Sequence, residues 1–144
     1  MKKYISILLF VLGIIAFSCS SSKTIVQKTT GDGTQKDTVR IANEELEYEV
    51  IIIDPGFNTW LVSMAYPRGY YSQSYLEAKN QFYVSEWNNR VMQPQRYNPN
   101  LYEMTIDYSP HIDYGYEVNY LLYNYFIYFQ NTYKQRLFGR VPSR

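Results

Sequence analysis

Glu47-Tyr48-Glu49-Val50-Ile51-Ile52-Ile53-Asp54 is the stretch on which the reading of the fold turns. It passes from alternation into an unbroken β-branched run. That is a strand pattern, with a C-terminal half expected to be buried on both faces. Pro55-Gly56 ends it, because proline cannot donate to a ladder and glycine admits a turn. Downstream, Asn58 can cap a short helix through Thr59, Trp60, Leu61 and Val62 to about Ala65. Pro67-Arg68-Gly69 stops that helix. Ser72 or Ser74 then caps a longer one to about Met92, with Leu76, Lys79, Tyr83, Trp87 and Val91 forming one stripe.

Pro94 and Pro99 bracket a loop of Gln, Arg and Asn. Tyr102, Met104, Ile106 and Tyr108 alternate with Glu103, Thr105 and Asp107, which predicts a half-exposed second strand closed by Pro110. A third helix is predicted from about Tyr116 to Leu137. Val118, Leu121, Leu122, Tyr125, Phe129 and Tyr133 form its inner face, and Tyr120, Tyr123, Ile127 and Tyr128 make the rest nearly as apolar. Such a helix is normally buried. Glu117, Asn119, Asn124, Gln130 and Asn131 argue against a membrane span, where they are costly. The expected fold class is α+β: a small antiparallel sheet of two or three strands packed with two long helices and one short helix. The two clear strands are expected to pair with each other.

Upstream, Ser20 to Arg40 is polar and cannot bury enough apolar surface to offset its ordering entropy, so it reads as a flexible tether. Its root-mean-square reach is roughly 25 Å. Before it stands Cys19, the one cysteine of the chain. Lys2 and Lys3 supply a positive start, and Ile5 to Phe17 an apolar run of 13 residues. A secretory apolar region needs roughly 7–15 residues and a spanning helix about 20. The segment therefore reads as an export signal. It resembles type II (lipoprotein) signal peptides, in which small residues precede a lipid-bearing cysteine; Ala16 and Ser18 are the small residues here. The expected organisation is signal peptide 1–18, lipidated tether 19–40 and a single domain 41–144. That resemblance implies a lipid anchor on Cys19. No acidic residue follows Cys19 directly, which leans toward the outer membrane facing the periplasm.

Composition excludes several function classes. Of 14 basic residues, Lys2 and Lys3 lie in the signal, leaving 12 against 13 acidic residues. A near-neutral chain without a basic run argues against nucleic acid as partner. With the sole thiol acylated there is no internal disulfide, and His111 is the only histidine. No ordinary zinc site, nucleophile–histidine pair or cofactor motif is expected.

Tyrosine is the compositional outlier, with 17 residues. It packs like a large apolar side chain but wants a partner for its hydroxyl. One reading makes the tyrosines the boundary of a small core. The other makes Tyr66, Tyr70, Tyr71 and Tyr75 a recognition surface for a protein or glycan. Arg68, Arg90 and Arg96, with Trp60 and Trp87, either stack with aromatics to capture a ligand or form internal ion pairs with Glu86 or Glu103. The candidate binding surface is thus Trp60, Arg68, Tyr70, Tyr71, Trp87 and Arg90. Asp54 at the strand end reads first as a turn former. The alternative is a small periplasmic hydrolase using Asp54 with Arg68 or Arg90.

Ile51-Ile52-Ile53-Asp54-Pro55-Gly56-Phe57-Asn58-Thr59-Trp60-Leu61, Pro67-Arg68-Gly69-Tyr70-Tyr71-Ser72-Gln73, Trp87-Asn88-Asn89-Arg90 and Tyr114-Gly115-Tyr116-Glu117-Val118-Asn119-Tyr120 together resemble a family of short uncharacterised lipoproteins. These occur in flavobacteria and related Bacteroidota and are grouped as a domain of unknown function. The resemblance spans about residues 41–138. It implies a Gram-negative envelope lipoprotein and supplies no activity or catalytic residue. The expectation is a lipid-anchored, non-enzymatic binding or structural module, with the membrane and an envelope protein or glycan as partners and no cofactor.

Overall fold

The β-branched run does form a strand in the computed structural model, which describes residues 38–43 and 48–144. Strand β1, Thr38–Asn43, pairs antiparallel with β2, Tyr48–Ile53, with Thr38 opposite Ile53 and Asn43 opposite Tyr48. The run is not buried on both faces. Ile52 is 5% exposed, whereas Ile51 and Ile53 are 55% and 76% exposed. With only one partner strand, period-two geometry buries every second side chain. Residues Thr38–Arg40, expected in the tether, lie in β1. The signal, Cys19 and the rest of the tether lie outside the described residues.

Three helices follow: α1 Phe57–Met64, α2 Gln73–Val91 and α3 Gly115–Thr132. Gly56 caps α1 at φ 98°, in the left-handed region open to glycine. A Cβ there would meet the Tyr128 hydroxyl at 3.4 Å. Ser72 caps α2, its hydroxyl accepting from the Tyr75 amide at 3.2 Å. The buried side of α2 is Leu76, Asn80, Tyr83, Val84, Trp87 and Arg90. Lys79 of the predicted stripe is only half-buried.

The expected sheet packed with helices is overturned. Residues 102–108 form no strand. Strand pairing among the described residues is confined to the local β1–β2 hairpin, and the core is carried by the three helices. Helix side chains replace the expected ladder. Asn88 donates to the Ile106 carbonyl at 2.9 Å and accepts from its amide at 2.8 Å. Trp87 Nε1 donates to the Met104 carbonyl at 2.9 Å. One carboxamide thus supplies the donor and acceptor that a neighbouring strand would have offered, so the alternating segment docks on α2 instead.

Helix α3 is the centre of the core, buried at 118–124 and 126–130. It ends five residues before the predicted Leu137, after which Lys134 takes φ 53°. Three of its buried amides donate within the helix. Asn119 donates to the Gly115 carbonyl at 2.9 Å, Asn124 to Tyr120 at 2.8 Å and Gln130 to Phe126 at 3.0 Å. Each of these amides hydrogen bonds one turn back, while the Tyr123 hydroxyl and the Asn124 side-chain oxygen are buried without a partner. Among the described residues no helix is long and apolar enough to cross a membrane.

Candidate functional site

The turn between α1 and α2 collects tyrosines on one face. Gly69 sits at φ 85°, and its amide donates to the Tyr116 hydroxyl at 2.7 Å. The Tyr120 hydroxyl donates to the Tyr66 carbonyl at 2.8 Å. Both contacts tie the turn to α3. The rings of Tyr66 and Tyr70 lie 4.2 Å apart, those of Tyr70 and Tyr71 4.7 Å, and those of Tyr71 and Tyr75 4.4 Å. Tyr71 also meets Tyr123 edge-on at 5.5 Å. Tyr66, Tyr70 and Tyr75 remain substantially exposed.

Two arginines border this ring series. Arg68 pairs with Glu117 through Nε and Nη2, and its guanidinium lies 4.6 Å from the centre of the Tyr120 ring. The hydrogen bond to Glu117 raises the Arg68 pKa, against a smaller opposing effect of burial. Burial pushes the Tyr120 hydroxyl up. Arg144 lies 3.8 Å over the Tyr66 ring and donates to the Tyr71 hydroxyl at 3.2 Å.

The other predicted residues lie elsewhere. Trp87 and Arg90 are interior. Arg90 donates to Glu86 at 2.7 Å, to the Tyr102 hydroxyl at 2.8 Å and to the Arg136 carbonyl at 2.5 Å. Its guanidinium also lies 4.8 Å from the Tyr97 ring centre. Burial pulls its pKa down, but the hydrogen bonds to Glu86 and Tyr102 outweigh that and raise it. Trp60 is half-buried beside Phe57 and Tyr128. The surface therefore comprises Arg68, Tyr70 and Tyr71 of the predicted six, joined by Tyr66, Tyr75 and Arg144.

Asp54 is buried and accepts from the Tyr128 hydroxyl at 3.0 Å and the Tyr133 hydroxyl at 3.1 Å. Its own carbonyl accepts the Phe57 amide at 3.2 Å, closing the turn into α1. Burial first, and then the Asp54 carboxylate, push Tyr128 up to about 12. Asp54, Arg68 and Arg90 share no hydrogen-bond partner in these networks.

A separate cleft of about 480 Å³ lies between α2 and the loop that follows residue 108, lined by Gln73, Glu77, Gln81, Tyr108, His111 and Asp113 among others. Gln73 bridges its two carboxylates, donating to Glu77 at 2.8 Å and to Asp113 at 2.7 Å. Burial, then the charge on Glu77, push Tyr108 up to about 12. Among the described residues no group of three or more His, Cys, Asp or Glu is placed to hold a metal ion.

The fold and its polar surface define a helical domain with a tyrosine-rich core and a row of exposed tyrosine rings flanked by arginines. The chain belongs to a family of unknown function, DUF6146, whose model matches residues 7–141. No curated protein and no solved structure matched it.

Proposed function

We propose that this protein is a lipid-anchored component of a bacterial cell envelope, attached through Cys19, whose domain is a non-enzymatic binding module. The observation that carries the binding role is the continuous series Tyr66–Tyr70–Tyr71–Tyr75. Its rings are in contact yet partly open to solvent. Aromatic rings held rigid by their neighbours offer contact area at low entropic cost, the usual basis of interface hot spots. Arg68 beside them adds a charged, oriented donor. The occupant is an envelope protein or glycan.

The anchor reading rests on the positive start, the apolar run and Cys19. Likeness to Bacteroidota lipoproteins and the polar residues after Cys19 favour the outer membrane, facing the periplasm. Two measurements test the proposal. Cys19→Ser should abolish incorporation of labelled fatty acid; persistent labelling removes the anchor. Crosslinking in native membranes should trap a defined partner from Tyr70, and Tyr70→Ala should weaken its capture without unfolding the domain. Equal capture by Tyr70→Ala and the wild type removes this face as the binding surface.

A further inference from the structure

The tyrosine surface already holds a cation. Arg144 stacks 3.8 Å over the Tyr66 ring and reaches the Tyr71 hydroxyl. Its Nε and Nη1 are buried with no hydrogen-bond partner. A guanidinium normally seeks a carboxylate whose two oxygens match its fork. Here the carboxylate on this face, Glu117, is engaged by Arg68. Arg144 is therefore held chiefly by the Tyr66 ring face and the Tyr71 hydroxyl. Its stray donors lie too deep for an anion to reach, which argues against an anion site.

We propose that the Tyr66 ring face and the Tyr71 hydroxyl, with Tyr70 at the rim, form a small cage for a weakly hydrated quaternary ammonium, and that Arg144 is its internal occupant. This deepens the reading of the same face as a binding surface and rests on it. The cage presents one π-face and one hydroxyl. Such a site favours cations that leave few N–H groups unpaired. Arg144 fits it imperfectly because two of its donor atoms find no acceptor, so a better-matched cation can displace it. Displacement frees a guanidinium at the rim, beside the exposed Tyr70 and the Arg68–Glu117 pair.

An occupant on the same chain competes at an effective concentration on the order of millimolar. Free cations therefore bind the wild type weakly, and removal of Arg144 should expose the site. The test titrates the full chain in detergent with tetramethylammonium and, separately, with N-acetylarginine amide. The Tyr66 and Tyr71 ring signals are followed by nuclear magnetic resonance. Arg144→Ala is expected to bind tetramethylammonium about tenfold more tightly than the wild type. Tyr66→Leu added to Arg144→Ala should abolish that binding. N-acetylarginine amide, which strands the same donors as Arg144, should bind less tightly, and tighter binding of it overturns the quaternary ammonium as occupant.

Equal, non-saturating responses in the wild type and in folded Arg144→Ala overturn the cage. So does saturable binding of inorganic sulfate by the wild type that Arg144→Ala loses, because Arg144 is then an anion donor. Should Arg144→Ala unfold, hydrogen exchange on the wild type decides. Excess tetramethylammonium should speed exchange at residues 141–144, and unchanged exchange overturns the proposal. The Tyr70→Ala crosslinking experiment separates the two levels. If it loses the partner while no cation binds, the cage alone is wrong. If it keeps the partner, the surface itself is wrong.

Discussion

Arg90 and Arg144 both lie on tyrosine rings, yet the two regions treat the guanidinium oppositely. Arg90 is 8% exposed and spends its donors on Glu86, Tyr102 and the Arg136 carbonyl, which pins α2 to the chain beyond α3. Arg144 has the Tyr66 ring face and the Tyr71 hydroxyl, with two donor atoms left over. A fully hydrogen-bonded interior cation is structural: it fixes which segments meet. A cation held by one ring face and one hydroxyl, short of acceptors, has no such fixed set of bonds. Residue type and aromatic contact are the same in both; the number of satisfied donors separates them.

The largest effect expected bears on the interior side of that comparison. Burial, the leading cause at each, pushes Tyr108 and Tyr128 from 10.0 up to about 12. It pushes Tyr48, Tyr123 and Tyr125 upward as well. The unfolded chain loses these protons near pH 10 while the fold retains them. Their contribution is therefore complete below pH 10 and is lost as pH rises toward 12. Circular dichroism and tyrosinate absorbance should change together in that window. Complete ionisation by about pH 11 with helicity intact would mean the core tyrosines are open to water.

Next in size is Arg90→Met, which leaves Glu86, the Tyr102 hydroxyl and the Arg136 carbonyl short of a donor. A loss of about 3 kcal/mol is expected in chemical denaturation. A loss comparable to that of a surface arginine would erase the distinction. Asn88→Ala removes both bonds to Ile106. It should cost about 1–2 kcal/mol, with faster amide exchange at Ile106 while α2 and α3 stay protected. The smallest effect belongs to Arg68→Ala. Its side chain is 54% exposed, so despite the Glu117 pair it should cost less than about 1 kcal/mol. Its mark should appear instead as weakened crosslinking to the partner.

Local signals carried the helices well. Ser72 announced the start of α2, and the spacing of Leu76, Tyr83 and Trp87 gave its buried side. The β-branched run gave β2. The partner of β2 was misplaced because the expected boundary at residue 40 cut β1 in two, leaving Thr38–Arg40 in the polar tether. The alternation at 102–108 held only in part: Tyr102 is buried, Ile106 and Tyr108 are half-buried and Glu103, Thr105 and Asp107 are exposed, but Met104, expected inward, is exposed as well. Without a ladder to enforce period two, a helix carboxamide and an indole hold the backbone and leave Met104 outside. Tyr70, Tyr71 and Arg68 were legible as a surface because they are neighbours in sequence. Trp87 and Arg90 belong to the interior; the α2 stripe already pointed Trp87 inward, whereas no local pattern separated Arg90 from the surface. Glu117 and Tyr120 join Arg68 only through the docking of α3. Arg144 had no signal at all, since it lies 73 residues from Tyr71 in the chain.

Helix α3 poses a problem of orientation. A helix apolar on nearly every side has no obvious face by which to choose its rotation. The inward-turned amides of Asn119 and Gln130 solve it. Each donates its N–H to a carbonyl one turn back, and its oxygen then becomes an acceptor displaced onto the helix flank. Asn80 and the Tyr108 hydroxyl donate to Asn119 Oδ1 at 3.1 and 2.7 Å, and the Leu137 amide to Gln130 Oε1 at 2.8 Å. At 3.6 residues per turn the two positions stand about three turns apart on nearly one line. They act as a two-pin key: a twist or a slide of the helix unseats both pins together, so a cylinder that hydrophobicity alone would let spin is held to a single angle and height.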